Sequence, residues 1–107
     1  MKALFRMTLM LACTSAAVIA SAQGPVAGVY KTKCALCHGT TGAADTPAGK
    51  AFNVPSFSSE TVVKESDANL LAVAKSGKGK MPAWQGKLSD DQLKELVAFI
   101  RTMQKKS

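Results

Sequence analysis

The sequence specifies an all-α domain. Three observations lead there. A C-terminal segment carries a complete helix-start signature ahead of an apolar stripe. The stretch from Ser66 to Gly77 has start and stop signals of its own. No window alternates apolar and polar residues as a half-buried strand requires. With 107 residues, 47% hydrophobic and 20% charged, the chain has room for one domain and is too apolar for intrinsic disorder.

The first 22 residues read as a secretory signal. Met1 to Arg6 carries positive charge, Met7 to Ala20 is a largely apolar, uncharged run, and Ala20-Ser21-Ala22 is a small-x-small cleavage sequence. As a helix that run spans about 21 Å, short of the ~30 Å hydrocarbon core, which argues against a permanent membrane span. Cleavage after Ala22 leaves residues 23–107. The alternative is lipoprotein processing at Cys13, but the apolar run continues past it through Ala16, Ala17, Val18, Ile19 and Ala20. The mature protein is therefore expected outside the cytoplasm, in the periplasm. Loss of Lys2 and Arg6 takes the net charge from +7 to +5.

Within the mature chain, Pro25 to Cys34 reads as a short helix with Val26, Val29, Tyr30 and Lys33 at helical spacing. Gly39 to Ser59, rich in Gly, Thr, Ala, Ser and Pro, is expected to be mostly loop, punctuated by Pro47 and Pro55. Ser66 and Asp67 open a second helix through Leu70, Leu71, Val73 and Ala74 that stops at Gly77. Residues 77–82, Gly-Lys-Gly-Lys-Met-Pro, form a loop. In the last helix Ser89 is the N-cap, Gln92 completes a capping box, and Leu88 and Leu93 occupy the staple positions. Leu93, Leu96, Val97, Ile100 and Met103 make its stripe, with Phe99 at the flank. Lys94, Arg101, Lys105 and Lys106 lie outside that stripe, the last three suited to the C-terminal dipole.

Cys34-Ala35-Leu36-Cys37-His38 carries the chemistry. C-x-x-C-H is the attachment pattern of c-type haem. Two thiols separated by two residues each reach a vinyl group on one edge of the porphyrin, and the following imidazole lies below the ring. A zinc site needs about four ligands, whereas this chain has one His and no further Cys beyond Cys13. A thioredoxin-like pair lacks its βαβ context. A plain disulfide leaves His38 unexplained and closes too short a loop to add much stability. For a sixth ligand the mature chain offers Met81 and Met103. Met103 reads as core edge or fraying surface. Met81 sits in the Gly/Pro loop 43 residues after His38, where a side chain is free to address a metal. Its soft thioether favours ferrous iron and raises the potential.

These residues together resemble the small, single-haem class I cytochromes c of bacteria, of the c551, c553 and c6 type. Cys34-x-x-Cys37-His38-Gly39, the Met81-Pro82 loop followed by Trp84, and the closing Leu96-Val97-Ala98-Phe99-Ile100-Arg101 carry the resemblance across the whole mature chain. It implies three to five short helices around one covalent haem, thioethers at Cys34 and Cys37, and axial ligation by His38 and Met81. It also implies a close crossing of first and last helices, where Tyr30 matches the family's aromatic. Eight residues before the first Cys the family usually has Gly; here Val26 stands, between Gly24 and Gly28. A proline carbonyl that accepts the proximal imidazole's proton is implied at Pro47, with Pro55 as the alternative. Trp84 is either an apolar wall, a propionate contact, or both. Phe52, Val54, Phe57, Leu70, Leu71, Val97 and Ile100 are expected to line the core or haem pocket.

The function expected is one-electron transfer between redox proteins by a monomer, without catalysis. A haem enzyme or gas binder with an open sixth site needs a distal acid–base group, and the sole His is already proximal; Asp45, Glu60, Glu65 and Asp67 carry no motif. A cytochrome subunit of a larger oxidoreductase is the remaining alternative. Lys31, Lys33, Lys50, Lys78, Lys80 and Lys87 flank the haem motif and the Met81 loop, either as a solvated basic surface or as a rim steering acidic partners. Nucleic-acid binding has no supporting motif.

Overall fold

The computed structural model describes residues 23–104. The expected leader with Cys13, and also Lys105 and Lys106, lie outside the described residues. Six helices follow in order: α1 (Gln23–Lys33), α2 (Ala35–His38), α3 (Pro47–Ala51), α4 (Glu60–Val63), α5 (Asp67–Ser76) and α6 (Asp90–Gln104). Among the described residues there is no strand, only isolated bridges joining Lys78 to Met81 and Gln85 to Leu88. The all-α expectation holds. Three to five helices were expected, and the excess comes from single-turn pieces.

Residues 39–59 are mostly loop, as expected, interrupted by the single turn α3. Thr46 caps α3 by accepting the Gly49 N–H at 2.9 Å, and Pro47 follows at the first turn, where its missing N–H costs no hydrogen bond. α2 and α4 are the other two short pieces, α4 a single turn begun by Ser59 without a side-chain cap. α5 starts where expected, with Ser66 Oγ accepting the Asn69 N–H at 3.1 Å, and stops at Gly77.

The capping box of α6 is complete. Ser89 Oγ accepts the Gln92 N–H at 3.1 Å, and Gln92 Oε1 accepts the Ser89 N–H at 2.9 Å. Leu88 and Leu93 are both buried, as a staple requires, and Leu93 is fully enclosed. α6 buries Leu93, Leu96, Val97 and Met103 against α1 and α5. Met103 is therefore core. From α1 come Val26 and Tyr30, both 3% exposed, so the crossing is packed on a valine where the family tends to have glycine. Gly28 faces away, with open space around its Cα. Phe57 and Leu88 complete the buried cluster, and Trp84, Phe99 and Ile100 pack at its edge.

Arg101 departs from its expected role at the helix dipole. Its guanidinium reaches across to Asp67, to the carbonyls of Val62, Val63 and Glu65, and to Gln104 on its own helix. α6 thus holds the α4–α5 turn.

Candidate functional site

Cys34 breaks α1 from α2 without ending the hydrogen-bond run. Its N–H donates to the Tyr30 carbonyl at 2.9 Å, and its own carbonyl accepts from His38 at 3.0 Å. Both thiols and the imidazole therefore ride on one short turn. Cys34 and Cys37 are free and half-buried, and Leu36 between them is 77% exposed. Burial pushes the Cys34 thiol up to about 11, the opposing effect of Lys33 notwithstanding, so it is protonated at neutral pH.

Burial also lowers the pKa of His38, which favours the neutral imidazole that binds metals. Its Nδ1 is enclosed and has no hydrogen-bond partner. The support expected from Pro47 or Pro55 is therefore not made in this structure. Pro47 instead starts α3, and the side chain before it, Thr46, donates to the Cys37 carbonyl at 3.1 Å. Against the imidazole lies Phe57, nearly parallel, with ring centroids 4.5 Å apart and planes at 19°.

Two further contacts fix the backbone around this turn. Tyr30 Oη donates to the Gly39 carbonyl at 2.6 Å, a buried bond from α1 to the residue after His38. Gly49 lets α3 press close: a Cβ there would stand 2.4 Å from the Cys37 carbonyl oxygen and 2.6 Å from that of Ala44.

Met81 is half-buried in a tight turn, exchanging backbone hydrogen bonds with Lys78 at 2.9 and 3.1 Å. Three residues on, Trp84 donates its backbone N–H to Ala74 of α5 at 3.1 Å. Two ammonium groups approach its ring, Lys33 at 5.5 Å and Lys87 at 5.4 Å from the centroid. Lys80 lies 6.0 Å from the ring of Phe52, which is 48% exposed.

Charges sort by location. The ion pairs found among the described residues are Lys64–Glu60, Lys75–Asp90 and Arg101–Asp67, all within α4 to α6 and its approaches. Among the described residues, Lys31, Lys33, Lys50, Lys78, Lys80 and Lys87 form no ion pair with a carboxylate. A cavity of about 200 Å³ between α5 and α6 is lined by Asp67, Ala68, Leu71, Lys94, Val97 and Ala98, and by none of the residues above. Among the described residues no three His, Cys, Asp or Glu side chains converge as a metal cluster, and no helix is long and apolar enough to cross a membrane.

Sequence reasoning missed the partners of this site. Phe57 appeared only as one lining residue among several, and Thr46 not at all. The Thr-Pro pair did signal a helix start, but nothing in the sequence marks Phe57 as the neighbour of His38.

Residues 22–100 match the family described as cytochrome c oxidase, cbb3-type, subunit III. The chain is 36% identical over 78 residues to the cbb3-type cytochrome c oxidase subunit FixPc of Rhizobium leguminosarum bv. viciae, aligning 70% of this chain with 25% of that one. It is 34% identical over 79 residues to cytochrome c6 of Bryopsis maxima, covering 69% of this chain and 83% of that protein. The solved structure of the KustC0563 c-type cytochrome superposes with a TM-score of 0.66 at 25% identity, over 72% of this chain and 94% of that chain. The chain spans about a quarter of the length of the FixP-type relatives.

Proposed function

Because this chain belongs to the cytochrome c family described as cytochrome c oxidase, cbb3-type, subunit III, we infer that it is a one-electron carrier built on one covalently attached haem c. The observation that carries the reading is the turn 34–38, where two free thiols are followed at once by a neutral imidazole with an enclosed Nδ1. These donors fit the group. Two free, half-buried thiols suit addition across two vinyl groups, and an imidazole with Nδ1 enclosed has Nε2 left for iron.

Cys34 and Cys37 would hold the haem through thioethers, and His38 and Met81 would ligate its iron. When bound, the haem supplies a ferric–ferrous couple. The chain's part is to hold both ligands in place and keep water from the iron. Thr46 and Tyr30 fix the backbone at Cys37 and Gly39, on either side of His38. The Lys78–Met81 turn holds the thioether in a short loop. Trp84 is assigned the neighbourhood of a propionate. Two protein ligands leave no position for substrate, so the chain is read as a carrier and not as an enzyme.

The leader supports export to the periplasm, and the unpaired lysines support redox partners with acidic docking surfaces, met by a monomer. A second reading, a cytochrome subunit of a larger oxidoreductase, is favoured by the match to an oxidase subunit family. Co-purification of a partner complex at stoichiometric yield distinguishes it.

The test is the absorption spectrum of the chain expressed with c-type maturation machinery, with and without carbon monoxide. A covalent haem with a Met-to-iron charge-transfer band and no response to carbon monoxide is expected. A high-spin spectrum that shifts readily with carbon monoxide overturns the reading in favour of an open site.

A further inference from the structure

We propose that Gly77 is the positioning residue for Met81: the loop that carries the thioether is seated on the bare Cα of Gly77, and that seat sets the place of the ligand. The proposal rests on Met81 being an axial ligand, as argued above.

A helix ends with carbonyls that have no partner inside it. At the end of α5 three of them are taken by the chain that follows. Gly77 N–H donates to Val73 at 2.8 Å, Trp84 N–H to Ala74 at 3.1 Å and Gln85 N–H to Lys75 at 3.2 Å. Residues 78–83 therefore leave α5 and return to its last turn. Met81 stands within that excursion, joined to Lys78 by a backbone hydrogen bond in each direction.

The return brings the loop down on Gly77. A Cβ there would stand 2.6 Å from the Met81 carbonyl oxygen, 2.9 Å from the Ala83 nitrogen and 3.0 Å from the Pro82 carbonyl carbon. All three are backbone atoms, and none can turn aside as the end of a flexible side chain would. The conformation of Gly77, φ 77° and ψ 170°, also lies in a region that is essentially reserved for glycine. Gly79 and Gly86 have positive φ too, +57° and +85°, but a Cβ on either meets nothing within 4 Å. Of these three glycines, Gly77 is the one against which the Met81 backbone rests.

A side chain at 77 lifts the backbone of residues 81–83, and the side chain of Met81 moves with it. A competing ligand reaches the iron only in those molecules whose thioether has left it, so raising that fraction raises its apparent affinity. Gly77 touches no reacting atom. It acts through Met81.

The experiment uses the haem-loaded full chain in its ferric form, with imidazole as the competing ligand. Gly77→Ala is expected to bind imidazole on the order of tenfold more tightly than the wild type and to weaken the Met-to-iron charge-transfer band. Gly79→Ala, which strains the same loop without a contact, is expected to shift the affinity less. Gly86→Ala, at a positive φ beyond the loop, is expected to lower the melting temperature and leave affinity and band unchanged. A Gly77→Ala variant with wild-type affinity and band overturns the proposal, and so do equal shifts in Gly77→Ala and Gly79→Ala. A wild type that lacks the band refutes the ligand assignment itself, and the positioning role with it.

Should Gly77→Ala fail to take up haem, the wild-type protein decides, through amide hydrogen exchange with and without imidazole. A loop held by its seat keeps the Met81, Trp84 and Gln85 amides as protected after the thioether is displaced as before. Loss of that protection on imidazole binding means that the bond to iron holds the loop, and overturns the proposal.

Discussion

Arg101 Nε donates to Asp67 Oδ1 at 2.9 Å across 34 residues of chain, and the same guanidinium bonds the carbonyls of Val62, Val63 and Glu65. Asp67 is 76% exposed, so the ion pair alone is worth little. Hydrogen bonds from a charged group to carbonyls weigh more. Arg101→Met is expected to cost about 2 kcal/mol in urea denaturation. Lys64→Ala, which breaks an exposed pair, is expected to cost at most about 0.5 kcal/mol. Arg101→Lys should recover little, since a single ammonium cannot span the carbonyls that the guanidinium fork reaches.

Tyr30 gives a pH dependence. Burial holds its phenol above the ordinary value of 10, with Cys34 and Asp45 adding to the shift. The unfolded chain loses this proton first, so the contribution is whole below about pH 10 and falls as pH rises beyond it. Tyr30→Phe removes the bond to Gly39 at a cost of about 1 kcal/mol at neutral pH. It should also flatten the alkaline limb of the stability profile, measured by denaturant midpoints across pH.

Gly49→Ala forces a methyl group against two carbonyl oxygens, those of Cys37 and Ala44. Neither is the end of a flexible side chain. A loss of about 2 kcal/mol or more is expected, with lower yields of haem-loaded protein on maturation, measured by haem absorbance per protein.

Met81→Ala should open the iron. The expected outcome is loss of the Met-to-iron charge-transfer band, a lower potential, and carbon monoxide binding to the ferrous form. Met103→Ala, which empties a core site, should lower the melting temperature and leave the spectrum unchanged. Unaltered coordination in Met81→Ala would remove it as ligand.

Electron exchange with an acidic partner should slow with added salt. Between low ionic strength and 0.15 M the rate is expected to fall on the order of tenfold. Lys33→Gln and Lys87→Gln should each weaken that slope, while Lys64→Gln, whose charge already meets Glu60, should not.

Helix ends were legible where side chains near in sequence satisfy one another. Ser89 with Gln92, and Ser66 with the Asn69 N–H, are three-residue relationships that a sequence displays directly. The motif at 34–38 was legible for the same reason. Phe57 was not: it lies 19 residues from His38, and its place depends on the turn at Gly42 and on Gln104 in another helix. The Thr46 cap was local and readable, but surrounding glycines, alanines and serines suggested loop. Arg101 lies outside the apolar stripe of α6 and so read as a partner of the helix dipole, although the carboxylate and carbonyls it binds lie more than thirty positions earlier.

Trp84 is the only tryptophan in the chain, and its ring lies between the end of α1 and the turn leading into α6, under Lys33 and Lys87. Its fluorescence therefore comes from a single place, three residues beyond Met81. Should the Met81 loop swing away while the helices stay folded, the emission changes and the far-ultraviolet circular dichroism does not. The protein thus carries its own optical gauge for whether that loop is closed.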